Sequence, residues 1–208
     1  TRPFRVQGAC GMSITSAFAL GYDVKYCNGV HTAAIPYFDS ASTHPWQDFG
    51  IRPSMMLGAS TLNAAATLIN RGIQSEATYP TGDGYLIRTT DTARSGPRYF
   101  DFSQLPGKWN FTGGLTLNYI DNSAGTGSNF ITNKNPVLFY FTGKARVDGL
   151  ESLRFMPGAI ADHLTSAGGM LTDSGQMSAL RWLEAGATGS YGTVAEPCNL
   201  PQKFPYPA

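Results

Sequence analysis

Charge is scarce in this chain. Asp, Glu, Lys and Arg supply 14% of its 208 residues, against roughly a quarter in an average soluble domain. Ser, Thr, Asn and Gly must therefore carry much of the polar surface, as suits an extracellular protein. The formal net charge is +1, with Lys and Arg scattered along the chain. Without a basic stripe to neutralise phosphates, nucleic acid is not an expected partner. Only three histidines occur, His31, His44 and His163, with no His-Glu-x-x-His and no Cys-x-x-Cys pair. A dedicated zinc site is therefore not expected, and no cofactor is. No strand-like run leads into Gly-x-Gly-x-x-Gly or a Gly-Lys-Ser loop, which excludes the common phosphate cradles. The longest apolar run, Pro136 to Phe141, falls far short of the roughly 20 residues that cross a bilayer. No signal-like apolar stretch opens the chain, and Thr1 stands where an initiator Met would, so a mature or incomplete product is expected.

Cysteine is nearly as sparse. With three residues, the simplest arithmetic in an oxidising compartment pairs Cys10 with Cys27 and leaves Cys198 alone. The alternative keeps all three as small reduced hydrophobes in a core.

What is present is enough apolar material to fold: 42% hydrophobic and 12% aromatic residues. Length and composition predict one domain over residues 1–208. Phe4 to Ala19 reads as a short strand running into a helix with a Ser or Thr cap. Residues 29–53 read as a long ordered loop, in which Tyr37, Phe38, Trp46 and Phe49 supply apolar anchors. Ser60 is predicted to cap a helix carrying Leu62, Ala65, Ala66 and Ile69 on its apolar face and stopping at Gly72. Strands are predicted at Gly84 to Thr90, followed by a polar loop with Arg94 and Arg98, and at Leu115 to Ile120. Val137 to Phe141 reads as a central strand buried on both faces. Met177, Leu180 and Leu183 mark a further helix stopped by Gly186, and Gly189 to Val194 a last strand. The extended tail 199–208 is rich in proline. Strands alternating with helices predict an α/β fold, a mostly parallel sheet with helices on both faces.

In such a sheet, ligands bind beyond the carboxyl ends of the strands. The candidate chemistry falls there: Asp162-His163 with Gly168-Gly169, expected after the Val137 strand, and Glu196-Pro197-Cys198 after the last one. A thiol attacks only as thiolate, and a histidine within reach supplies the base. Cys198 and His163 are therefore the predicted nucleophile and base. The N–H groups of Gly168 and Gly169 are the predicted donors to an oxyanion, with Asp162 or Glu196 orienting the imidazole. The competing reading makes His163 a satisfied structural residue and Cys198 a buried hydrophobe. Ser190, in Thr188-Gly189-Ser190-Tyr191-Gly192, lacks the first Gly of a hydrolase elbow and reads as structural.

Four strings carry a resemblance: Cys10-Gly11-Met12-Ser13-Ile14-Thr15-Ser16-Ala17-Phe18, Gly50-Ile51-Arg52-Pro53-Ser54-Met55-Met56-Leu57, Ala161-Asp162-His163-Leu164-Thr165-Ser166, and the run Gly189 to Asn199. Together they resemble an uncharacterised bacterial family found in genomes that encode exosortase, the PEP-CTERM protein-sorting system. That resemblance implies an exported protein whose relatives continue beyond both ends of this chain. A weaker likeness runs to caspase and gingipain type cysteine peptidases, in which a His follows one parallel strand and a Cys the next. It implies a cysteine peptidase or transpeptidase acting on a peptide or protein substrate, with His163 as base and Cys198 as nucleophile. Those enzymes carry Gly directly after the His, where this chain has Leu164. The rival reading is a non-catalytic surface or assembly protein that uses the aromatic loop around Tyr37 to Phe49 to hold a partner or a glycan.

Overall fold

The computed structural model describes residues 4–6, 10–12, 14–21, 37, 40–109, 113–172 and 174–194. A two-stranded antiparallel unit, β1 (Phe4–Val6) and β2 (Cys10–Met12), opens the chain and is followed by helix α1 (Ile14–Leu20). Cys27 lies outside the described residues, as does any side chain of Cys10, so their pairing does too. Within the region read as a long loop, Pro45–Phe49 forms a short helix, α2, with Pro at its start and left-handed Gly50 at its end.

The main body is one sheet of five strands, all parallel. Its members are β3 (Gly82–Arg88), β4 (Leu115–Asp121), β5 (Val137–Thr142), β6 (Phe155–Asp162) and β7 (Gly189–Ser190), in the order β4-β3-β5-β6-β7. β5 is central, as its unbroken apolar run requires: it must bury both faces. One face of the sheet joins Leu86 and Phe141 to Phe102 and Leu105 of helix α5 (Tyr99–Lys108). The other joins Tyr85, Ile87, Tyr140 and Ala161 to Trp182 of helix α6 (Leu180–Ala185) and to loop residues such as Val147 and Leu153. Helices thus cover both faces, and the fold is α/β.

Helix α3 (Leu62–Ser75) differs from its sequence reading in cap, end and face. Thr61, not Ser60, is the cap, its side chain accepting from the Ala64 N–H at 3.1 Å. The helix runs through Gly72 to Ser75. Leu68 is its buried residue, whereas Leu62 and Ile69 are exposed. Helix and sheet meet closely: Gly158 of β6, at φ +88°, sits where a Cβ would touch Ser75 at 3.0 Å.

Several elements are additional to the sequence reading, among them α5 and β6. β6 contains Pro157 and Gly158, which break the period of two. Its ladder pairs Val137 with Phe155 but Phe139 with Ile160, so the extra residues between them form a bulge. The last strand is shorter than predicted, only Gly189–Ser190. No helix among the described residues is long and apolar enough to cross a membrane.

Candidate functional site

The sheet changes connection direction between β3 and β5, where a crevice would normally open. Here that position is filled by a one-turn helix, α4 (Thr92–Ser95), capped by the Asp91 side chain. The Thr89 hydroxyl donates to the Gly143 carbonyl at 2.5 Å. A Cβ on Gly143 would collide with the Arg94–Ser95 backbone, so only Gly allows this approach. The remaining chemistry gathers at the carboxyl ends of β5, β6 and β7.

His163 directly follows β6, not the Val137 strand, and is 1% exposed. Both ring nitrogens are engaged. The Trp182 indole N–H donates to Nδ1 at 3.0 Å, and Nε2 lies 3.0 Å from the Met177 carbonyl oxygen. An indole can only donate and a carbonyl can only accept, so the tautomer follows: Nδ1 is bare and Nε2 carries the proton. The imidazole is neutral. Burial pushes its pKa below the ordinary value, with Arg98 and Arg94 adding to that effect and Asp162 and the Met177 carbonyl opposing it. In this arrangement neither nitrogen is open to a thiol.

Asp162 faces the other side of the strand and does not orient the ring. Its Oδ2 lies 2.6 Å from Nη1 of Arg98 and accepts from the Leu164 N–H at 3.2 Å. Arg98 is itself 2% exposed, and its Nη2 donates to the Thr142 carbonyl at 2.7 Å, joining β5 to β6 from the start of α5. Leu164, the residue in the Gly position of the peptidase likeness, has φ +38°. A branched side chain in the left-handed region is strained, and such strain persists only where the surroundings over-determine it. The Leu164 N–H bond to Asp162 and the burial of its side chain do so here.

The loop after Leu164 is stapled by Gln176, whose Oε1 accepts from the Thr165 hydroxyl at 2.5 Å and from the Ala167 N–H at 2.7 Å. Arg94 Nε donates to the same hydroxyl at 3.1 Å. Gly168 and Gly169 lie here, but as packing residues. The Gly169 N–H donates to the Thr193 carbonyl at 2.8 Å and the Gly168 N–H to the Thr165 carbonyl at 3.4 Å. In this arrangement both N–H groups that the sequence reading assigned to an oxyanion are directed at backbone carbonyls. Their lack of side chains lets Gly192 lie directly on their backbone: a Cβ on Gly192 would fall inside contact distance of Gly168 and Gly169. Gly192→Ala is therefore expected to cost about 1–3 kcal/mol, read as a lower urea midpoint at unchanged slope.

Cys198 and Glu196 lie outside the described residues, which end at Val194. The structure thus brings Asp162, His163, Gly168 and Gly169 to one end of the sheet, beside the 191–194 segment that leads toward Cys198. Sequence reasoning missed Arg98, Trp182 and Gln176 as partners. Arg98 carried the one legible signal, an Arg in a chain short of charge, but nothing marked it as buried. Among the described residues no three His, Cys, Asp or Glu side chains converge as metal ligands.

A second concavity, with a volume of about 580 Å³, lies between α3 and β7. Met55, Leu57, Ile69, Ile73 and Leu183 line it, with Glu76 as the one ionisable side chain in its wall among the described residues. Comparison with family models, curated proteins and solved structures gives no match for this chain.

Proposed function

We propose that this chain is a non-catalytic binding or assembly protein of the bacterial envelope, built on an α/β scaffold. The observation that supports this reading most is His163: buried, neutral, and bonded through both nitrogens to Trp182 and Met177. A general base needs a lone pair directed at the proton it will take. The lone pair of Nδ1 is directed at an indole, and the second nitrogen already bears its proton. The N–H groups of Gly168 and Gly169 are directed at backbone carbonyls in the same way. For a binding role, the apolar groove beside α3 offers Met55 and Leu57, 85% and 66% exposed, and the outward face of Ile73. Met-rich apolar patches of this kind adapt to protein partners. The chemistry of the lining fits an apolar segment of a partner protein that carries a basic side chain opposite Glu76.

The cysteine peptidase reading keeps one observation in its favour, the strained backbone at Leu164 immediately after His163. It has Cys198 attack a peptide carbonyl while His163 moves the proton.

Alkylation separates the two. The folded protein is titrated with a thiol-alkylating reagent from about pH 5 to about pH 9, and the modified residue is located by mass spectrometry. The binding reading expects Cys198 to react slowly, with a rate that rises toward an ordinary thiol pKa of roughly 8.5. Fast labelling confined to Cys198 and persisting at about pH 6, with Cys198→Ala abolishing peptide hydrolysis, would establish the peptidase instead.

A further inference from the structure

We infer that His163, Trp182 and the Met177 carbonyl form an acid-operated latch that holds α6 and the 164–179 loop against the carboxyl end of β6. The three groups come from three places: His163 from the end of β6, Met177 from the loop, and Trp182 from α6. Their hydrogen bonds join segments 14 and 19 residues apart. The rest of the loop depends on the same end of the sheet, with Met177 N–H donating to Ala145 and Ala179 N–H to Gly168.

The latch is closed only while His163 is neutral. A proton arriving at Nδ1 turns an acceptor into a donor and sets it against the Trp182 N–H, a donor that has no acceptor capacity to offer in return. One of the two N–H groups must then leave, and a buried charge is added in the same step. Asp162 favours the charged ring, but burial, Arg98 and Arg94 act against it. Asp162 at the end of β6 is directed to Arg98, which leads into α5, while Arg94 of α4 stands near Thr165. The Lys144 N–H, following β5, is bonded to the His163 carbonyl rather than to its ring. Burial holds the closed-state pKa below the ordinary value of 6.5.

The direction follows from linkage. The open form binds a proton below about pH 6.5 and the closed form does not. Acidification therefore favours opening by up to tenfold per pH unit, until the closed-state pKa is reached. Above about pH 6.5 both forms are neutral and the latch is indifferent to pH. Opening is local, because β3 and β5 are held by their own ladders and by α5.

The test is nuclear magnetic resonance of the whole chain, stepping the pH downward and following the Trp182 indole N–H and the His163 ring together. Both signals are expected to change with one midpoint below about pH 6.5, while the amides of β3 and β5 stay in place. His163→Gln, whose neutral amide can accept from Trp182 and donate to Met177, is expected to remove the transition. A transition that survives in His163→Gln belongs to other groups and overturns the latch, as does simultaneous loss of β3 and β5. Should that variant not fold, Trp182→Phe serves in its place. With the opposing donor gone, His163 is expected to take its proton at a higher pH, and an unchanged titration would overturn the proposal.

Discussion

Asp162→Ala is expected to lower the free energy of unfolding by about 3–5 kcal/mol, because it leaves the Arg98 guanidinium buried without its counter-charge. Both partners are almost wholly removed from water, at 1% and 2% exposure, and their closest atoms are 2.6 Å apart. At a surface the same pair would contribute less than about 1 kcal/mol, since water would take over the lost contact. Here water cannot reach it. The second bond of Arg98, to the Thr142 carbonyl, fixes the guanidinium in place and prevents it from swinging out to solvent when Asp162 is removed. The Leu164 N–H, held by Asp162 in a left-handed conformation, loses its acceptor as well. Replacing both charges, Arg98→Met with Asp162→Leu, is expected to recover most of the loss, because the desolvation cost of the ions disappears with their attraction. Urea denaturation of the two variants beside the wild type checks this. A cost under about 1 kcal/mol for Asp162→Ala would mean that the pair is hydrated in solution.

How much of this was legible in the sequence depended on whether local pattern and tertiary demand agreed. They agreed at β5, where Val137 to Phe141 is apolar on both faces and occupies the centre of the sheet. They agreed at β4, where Leu115 to Ile120 stands as read with Asp121 added, and at the end of α6, where Gly186 caps at φ +119°. They disagreed at β6. Pro157 and Gly158 normally punctuate turns, and the strand tolerates them only by bulging away from β5 and by letting Ser75 of α3 approach the bare Gly158 backbone. Missing β6 is why His163 was attached to the wrong strand. The two strands are neighbours, so His163 still stands at a carboxyl end of the sheet, one strand over from the expected one.

Helix α3 shows a different limit. Its apolar residues fall on two faces, and periodicity alone favoured the one with Leu62 and Ile69. The structure instead buries Leu68, and Ser75 further along the helix packs against the bare Gly158 backbone of β6. The site failed to read for a third reason. His163 and Gly168-Gly169 were chosen as chemical groups by residue type, yet their roles are set by partners far away in sequence. Trp182 lies 19 residues from His163, and Thr193 lies 24 beyond Gly169. No spacing rule links an indole in a short helix to an imidazole at a strand end.

Trp182→Ala should be the most damaging single change among the α6 side chains, at about 4–8 kcal/mol. Truncating a buried Trp costs about 3–5 kcal/mol through lost transfer energy and the cavity left behind. Leaving Nδ1 of His163 buried without a donor adds about 1–3 kcal/mol. The cavity cannot close easily, since the indole stands edge-on to Tyr140 at 5.0 Å and to Phe155 at 6.4 Å, and both rings are anchored in strands. Against a total stability of roughly 5–15 kcal/mol, such a loss puts the fold at its margin. Trp182→Phe retains the aromatic volume in part and removes only the N–H, so it should cost about 1–3 kcal/mol. The gap between the two variants, measured by urea midpoint at about pH 7.5, is a measure of packing, and the Phe variant alone a measure of the hydrogen bond. Acid adds a second axis. At about pH 5 the wild-type latch is under strain from protonation, and the Phe variant no longer sets one donor against another, so the difference between them should shrink as the pH falls. A difference that stayed constant from about pH 7.5 to about pH 5 would mean that the indole N–H contributes nothing to keeping His163 neutral, and that burial alone does so.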